Sequence, residues 1–289
     1  MALDLDQLLL GVRAGEWDLA LGDDASRQLR EAGPEELTAA WPGASGPMVQ
    51  FTGALSGPLF RLRCVAEWKG VMEAVSLDAG ATVVEVASGA SDPVPAAAAM
   101  HLGSEGEYVS ANLNARLTEG LRRATARLPL PCRVVEDDAA NLDRYLQPES
   151  VDLFAFHHAI NDVVQTIAFG IEGRDTAAVD WFHVLPDMVR MVAEYWSDGR
   201  MESRVRPEYL RLVAVCAGLL KPGGVMAFTH HMYQGDIDLG YPMDLYSAYV
   251  PIARRWMHGS NLPLEEISLA GYDPDWWLFL RKADGRGAG

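Results

Sequence analysis

The sequence predicts an α/β fold, a doubly wound and largely parallel sheet with a helical cover before it. Three observations predict this. From residue 82 onward, short apolar runs alternate with helical patterns, the signature of strands joined by crossover helices. The first run, TVVEVAS, ends in a turn of small residues that opens a helix. A KPGG turn introduces a later apolar run, VMAFTHH, as a helix-to-strand connection would.

The elements follow in order. LDQLLLGVRAGEWDLAL spaces its apolar residues as a helix does, and ASRQLREAGPEELTAAW continues the pattern with a break at Gly33 and Pro34. WPGASGPMVQFTGALSGP is rich in Gly and Pro and predicts a linker or lid, after which PLFRLRCVAEWKGVMEAVSL resumes a helix. TVVEVAS is a buried strand, PAAAAMHL a helix and EYVSANL a second strand. ARLTEGLRRATARL is an amphipathic helix carrying Leu117, Leu121 and Leu128 along one side. CRVVEDDA and VDLFAFHH are further strands, VLPDMVRMVAEYW and YLRLVAVCAGLL are helical, and WWLFLRKA is the last strand. The expected organisation is a helical cover over residues 1–78, a sheet domain over 79–283 and a flexible tail over 284–289. Helical inserts are expected at about 165–207 and 232–262.

Composition narrows the partners. Asp and Glu number 40 against 24 Lys and Arg, a formal charge of −16. Such a surface repels phosphate backbones, so neither nucleic acid nor an anionic membrane is an expected partner. Cys64, Cys132 and Cys216 are far apart, without CxxC pairing, so neither a disulfide framework nor a zinc site is expected. The first residues carry acids where a signal peptide needs a basic stretch, and no apolar run reaches membrane-spanning length. A cytoplasmic protein is the expectation, and abundant Arg, Ala and Gly suggest a GC-rich bacterial genome. A homodimer is compatible with the sequence.

The turn in VVEVASGASDP is the first functional signal. In a doubly wound sheet, ligands bind outside the carboxyl ends of the strands. The small residues Ala87, Ser88, Gly89 and Ala90 let a ligand approach the backbone. Neither GxGxxG nor GxxxxGK[ST] occurs, so the turn is not built for a pyrophosphate.

Over about residues 80–282 the chain resembles the class I S-adenosylmethionine-dependent methyltransferases. The resemblance rests on VVEVASGAS, EYVSANLN, RVVEDDAANL, ESVDLFAFHH and LLKPGGVMAFTH, five segments in the family's order. It implies a Rossmann-like fold of the class I methyltransferase type, with S-adenosyl-L-methionine as cofactor. It also implies that Glu85 approaches the amino-acid end of that cofactor, with Ala87, Ser88 and Gly89 lining its path. Asp138, with Ala139 beside it, would face the adenine. Where the family has an acid for the ribose hydroxyls, this chain has Asn112, which lacks the charge-assisted grip of a carboxylate.

Fourth-strand residues of this family project into the reaction site, and here they read AFHHAINDVVQT. With a helix starting near Ala159, His158 and Asn161 share one face. A histidine there can act as general base and an asparagine can hold an amino or carboxyl group. His157 is expected against the cofactor or in the wall, and Asp162 reads equally as a helix cap. His230 and His231 form a second adjacent pair, but no Asp, Glu or Cys spacing accompanies them, so no metal is expected. Both inserts are rich in aromatic residues, including Trp181, Phe182, Tyr195, Trp196, Tyr233, Tyr241, Tyr246 and Tyr249. An aromatic face stabilises a sulfonium without attacking it. Tyr195 is the ring expected to do so.

Three functions are compatible with these residues. The leading expectation is methyl transfer to a small molecule, in secondary metabolism. The HAIND segment and the altered turn also look like the azetidine-2-carboxylate synthases, which cyclise the aminobutyryl arm of the cofactor and release methylthioadenosine, so the cofactor itself would be the substrate. A non-catalytic binding protein on the same fold is the third.

Overall fold

A computed structural model of the chain describes residues 3–284. Of the expected flexible tail at 284–289, residues 285–289 lie outside the described residues.

The amino-terminal helices are α1 (Leu5–Ala14), α2 (Asp18–Leu21), α3 (Asp23–Glu31) and α4 (Pro34–Ser45). Asp4 caps α1 by accepting from the Asp6 N–H, and Gly15 ends it at a φ of 82°. The Trp41-Pro42-Gly43 stretch, expected to be linker, instead completes α4. Pro42 stands in the last turn, and its carbonyl accepts from Gly46. The chain then forms β1 (Met48–Val49) and α5 (Ser56–Ala74). Leu59 and Leu62 of α5 pack with Leu8, Val12 and Leu37. Val65, Trp68 and Met72, further along α5, pack on the sheet. The helical segment before residue 79 is therefore split: α1–α4 build a small core of their own, while α5 is also one of the helices that cover the sheet.

The sheet elements follow: β2 (Thr82–Val86), α6 (Pro93–Leu102), β3 (Glu107–Ala111), α7 (Ala115–Thr125), β4 (Cys132–Val135) and β5 (Val151–His157). Next come α8 (Ala159–Ile171), α9 (Trp181–Ser197), α10 (Arg206–Leu219) and β6 (Leu220–Thr229). The chain closes with β7 (Met232–Tyr233), α11 (Gln234–Asp238), α12 (Met243–Tyr246), α13 (Tyr249–His258), β8 (Leu264–Ile267) and β9 (Trp277–Lys282). The main sheet has seven strands in the order β4-β3-β2-β5-β6-β9-β8. All neighbours from β4 to β6 are parallel, while β9 is antiparallel to both β6 and β8. Val84, Val86, Phe154 and Phe156 face one helical layer, and Val83, Leu153 and Ala155 face the other. Burying a side chain of this kind stabilises the fold by roughly 1.5–3 kcal/mol. β8 had no sequence signal: LEEI is a short edge strand whose acids face solvent, so it shows neither alternation nor apolar character.

Strand order reverses direction between β2 and β5, opening a crevice at their carboxyl ends. β1 pairs in parallel with β7, and this ties the amino-terminal helices to the segment leaving β6 beside that crevice. Phe51, just after β1, stacks on Tyr233 of β7 with ring centroids 6.0 Å apart.

Candidate active site

The turn after β2 is held from inside the sheet. Ala87 has a φ of 54° and Gly89 a φ of 60°, both left-handed. A non-glycine residue there costs roughly 1–2 kcal/mol, so the surrounding bonds must impose it. Asn112, at the end of β3, donates its side-chain N–H to the Gly89 carbonyl at 2.7 Å, and Ser88 Oγ meets Ser110 Oγ at 2.6 Å. Asn112 is buried, and its side-chain N–H is committed to holding the turn.

A narrow apolar slot of about 60 Å³ lies beside this turn, between Ala87, Ala111 and Leu113 on one side and Asp138, Ala139 and Ile167 on the other. Asp138 caps the following helical turn by accepting from the Ala140 N–H with one oxygen. Glu85 lines neither this slot nor the cavity next to it. It shares the opposite face of β2 with Val83, fully buried, and accepts from the Tyr108 hydroxyl at 2.5 Å. Its Oε1 has no partner among the described residues, and burial pushes its carboxyl up to about 8 despite the Tyr108 bond.

The larger cavity, about 420 Å³, adjoins the slot through Ala87. Ala87, Ser88 and Gly89 form its floor, and His157, His158, Asn161 and Asp162 come from the end of β5 and the start of α8. Tyr233 and Asp236 reach it from the segment after β6, and Trp181 and Phe182 stand at the start of α9. Phe182 is 71% exposed, an aromatic ring at the mouth.

His158 is built for a particular orientation. Its φ of 51° ends the strand alternation, so it does not point opposite His157 as regular strand geometry would require. Its ring stacks on His230 at 4.9 Å and on His231 at 4.7 Å, nearly parallel to both, and meets the edge of Tyr233 at 4.7 Å. His157 accepts from the Trp68 indole N–H at 3.0 Å and lies 5.3 Å from His231. All four imidazoles are held neutral. Burial pushes His157 and His230 down to about 3. Burial, followed by the neighbouring imidazoles, holds His158 and His231 well below the ordinary 6.5. His158 Nδ1, and both ring nitrogens of His230, have no hydrogen-bond partner among the described residues. The rings stack rather than converge, and among the described residues no group of three or more His, Cys, Asp or Glu could hold a metal ion.

Asn161 donates to Asp162 Oδ1 at 2.7 Å, and its own Oδ1 is buried without a partner. His158 and Asn161 therefore meet in one cavity, as helical spacing predicts. Asp162 does not cap α8, since His158 holds that position. Burial and the charge of Asp236 push Asp162 up to about 8.

Tyr195 lies away from this site. It is fully buried in α9, donates to Glu172 and carries the Arg200 guanidinium 4.0 Å over its ring. It lines neither the slot nor the cavity, because it stands almost four turns into α9 and that helix presents only its first residues to the crevice. Tyr233, Trp181 and Phe182 are the rings at the site. Position along the chain is the signal that could have found Tyr233, which lies at the start of its insert just past β6; Trp181 and Phe182 lie well inside theirs and carry no such signal.

No protein-family model matches the chain, and no curated protein sequence matches it. Among solved structures it is similar to a putative rRNA-methylase from Clostridium thermocellum, at 11% identity over 77% of this chain and 97% of that one, with a TM-score of 0.45. A SAM-dependent methyltransferase from Aquifex aeolicus shows 10% identity over 74% and 88%, with a TM-score of 0.46. The CurJ carbon methyltransferase shows 13% identity over 96% and 70%, with a TM-score of 0.47. These likenesses are too distant to carry an activity or a substrate across. The strand order itself, with five parallel strands and the reversed β9 between β6 and the edge strand β8, gives this chain the class I methyltransferase fold, a Rossmann-like α/β architecture.

Proposed function

We propose that the protein is an S-adenosylmethionine-dependent transferase acting on a small molecule, with methyl transfer the leading reaction. The observation that carries this reading is the adjacency of slot and cavity across Ala87. The slot suits an adenine: it is apolar, and Asp138 at its edge keeps one carboxylate oxygen beyond its capping bond. The left-handed turn at Ala87 and Gly89 brings bare backbone to the ligand's path. The buried, unpartnered Asn161 Oδ1 and the aromatic rim suit the amino-acid end and a sulfonium. The bound cofactor would supply an activated methyl group. Neutral His158 would accept a proton from the acceptor, and Asn161 would position it. The charge of −16 disfavours a nucleic-acid acceptor. A role in secondary metabolism fits a covered small-molecule site.

The meeting of His158 with Asn161 also favours a second reading, cyclisation of the cofactor to azetidine-2-carboxylate with release of methylthioadenosine. Incubation of the pure protein with S-adenosylmethionine alone, followed by mass spectrometry, separates the two. Methylthioadenosine without any acceptor supports cyclisation. S-adenosylhomocysteine formed only with an added acceptor supports methyl transfer. Calorimetry showing affinity for neither S-adenosylmethionine nor S-adenosylhomocysteine would overturn both.

A further inference from the structure

The larger cavity has an acidic side that the histidines and the small-residue turn do not account for. Asp162 in the first turn of α8 and Asp236 on α11 both line it, and no Lys or Arg does. One oxygen of Asp162 accepts from Asn161 at 2.7 Å, and one oxygen of Asp236 accepts from the Tyr246 hydroxyl at 2.5 Å. The second oxygen of each lacks a side-chain donor among the described residues. An independent observation points the same way. Asn161 is 2% exposed, lines this cavity, and leaves its Oδ1 with no partner. A buried acceptor left so is costly unless a ligand supplies the donor.

An alkyl ammonium offers three donors and no acceptor, and carries the charge that two neighbouring carboxyls lack. Tyr233 and Trp181 on the rim would stabilise the same charge through their ring faces. We propose that this cavity holds an aliphatic ammonium group, with Asp162, Asp236 and the Asn161 Oδ1 as its acceptors. The assignment deepens the proposed transferase reading and rests on it for the place of the cofactor. The ammonium is either that of an acceptor substrate or that of the cofactor's own aminobutyrate arm. Burial and Asp236 keep Asp162 largely protonated near neutrality, so a cation arriving beside it would drive a proton off.

Calorimetric titration of the full chain with butylamine and with 1-butanol tests this, alone and with S-adenosylhomocysteine present. Butylamine is expected to bind at least about tenfold more tightly than butanol, through charge-assisted bonds. That preference should vanish in Asp162→Asn and in Asp236→Asn, while both variants still bind methylthioadenosine. Titration of the unsubstituted protein in two buffers of different ionisation enthalpy should show proton release with butylamine and none with butanol. Equal affinities, or a preference that survives both substitutions, would overturn the proposal. So would variants that weaken S-adenosylmethionine but not S-adenosylhomocysteine in the absence of any amine preference, since the pair would then serve the sulfonium. Butylamine binding alongside S-adenosylhomocysteine assigns the site to an acceptor. Competition with S-adenosylhomocysteine but not with methylthioadenosine, which lacks the arm, assigns it to the cofactor. An amine preference in a protein that binds none of the adenosine compounds would sink the transferase reading and leave the amine site standing.

Discussion

The two walls of the crevice are made of different materials. On the β2–β4 side, the Ala87–Gly89 turn and the slot at Asp138 and Ala139 consist of backbone and small side chains, and Asn112 and Ser110 hold the turn in place. On the β5–β6 side, large polar groups crowd together: His158 stacks between His230 and His231, with Asn161 and Tyr233 beside it, and His158 Nδ1, both ring nitrogens of His230 and Asn161 Oδ1 have no hydrogen-bond partner among the described residues. The first wall is satisfied and shaped to let something lie against it. The second carries unspent hydrogen-bonding capacity, which is costly to maintain and is characteristic of sites where chemistry or specific binding takes place.

Ala87 belongs to both compartments, so Ala87→Val should have the largest effect. A β-branched residue is poorly tolerated at a φ of 54° and would fill slot and cavity together. S-adenosylhomocysteine affinity is expected to fall by about a hundredfold or more, a figure scaled from the few kcal/mol that such strain costs. Unchanged affinity by calorimetry would mean that no ligand passes over the turn. His158→Ala should separate the walls: turnover down by about a hundredfold, cofactor affinity within about threefold. Equal loss of both would give His158 a structural role.

The neutral histidines make the second wall sensitive to acid. Their folded pKa values lie below the ordinary 6.5, so the unfolded chain binds protons that the folded chain refuses. The histidines' contribution to stability is therefore full above 6.5 and lost as pH falls toward 3, by up to about 1.4 kcal/mol per pH unit for each histidine, while the raised carboxyls of Glu85 and Asp162 act in the opposite direction below about 8. Urea unfolding across that range, compared with a His230→Phe variant, measures it, and an identical pH profile in the two proteins would show that this ring is not buried neutral. The smallest contrast separates two tyrosines. Tyr233→Leu should lower turnover by about tenfold through loss of the ring at the site. Tyr195→Phe should leave turnover unchanged and cost about 1 kcal/mol for the lost bond to Glu172. The reverse pattern would restore Tyr195 to the site.

Much of the first wall was legible in the sequence because it depends on local order. A strand, a small-residue turn and a helix are adjacent in the chain, so VVEVASGAS and EDDAA could be placed by their neighbours alone. The His158 and Asn161 pair was legible for the same reason, being three residues apart at a helix start. The bond from Asn112 to the Gly89 carbonyl was not legible, since it is made across two strands. The place of Tyr195 was not legible, because aromatic content marks an insert but not which turn of its helix meets the crevice.

Alternating apolar runs determined the α/β class and the succession of strands and helices along the chain, because periodicity is a property of short segments, whereas the order of the strands in the sheet is a tertiary fact. The histidine stack, the Asp162 and Asp236 pair and the tie from β1 to β7 were decided only by tertiary structure. They join residues tens to hundreds of positions apart, and the burial that neutralises the imidazoles and raises the carboxyls exists only once those segments have packed together.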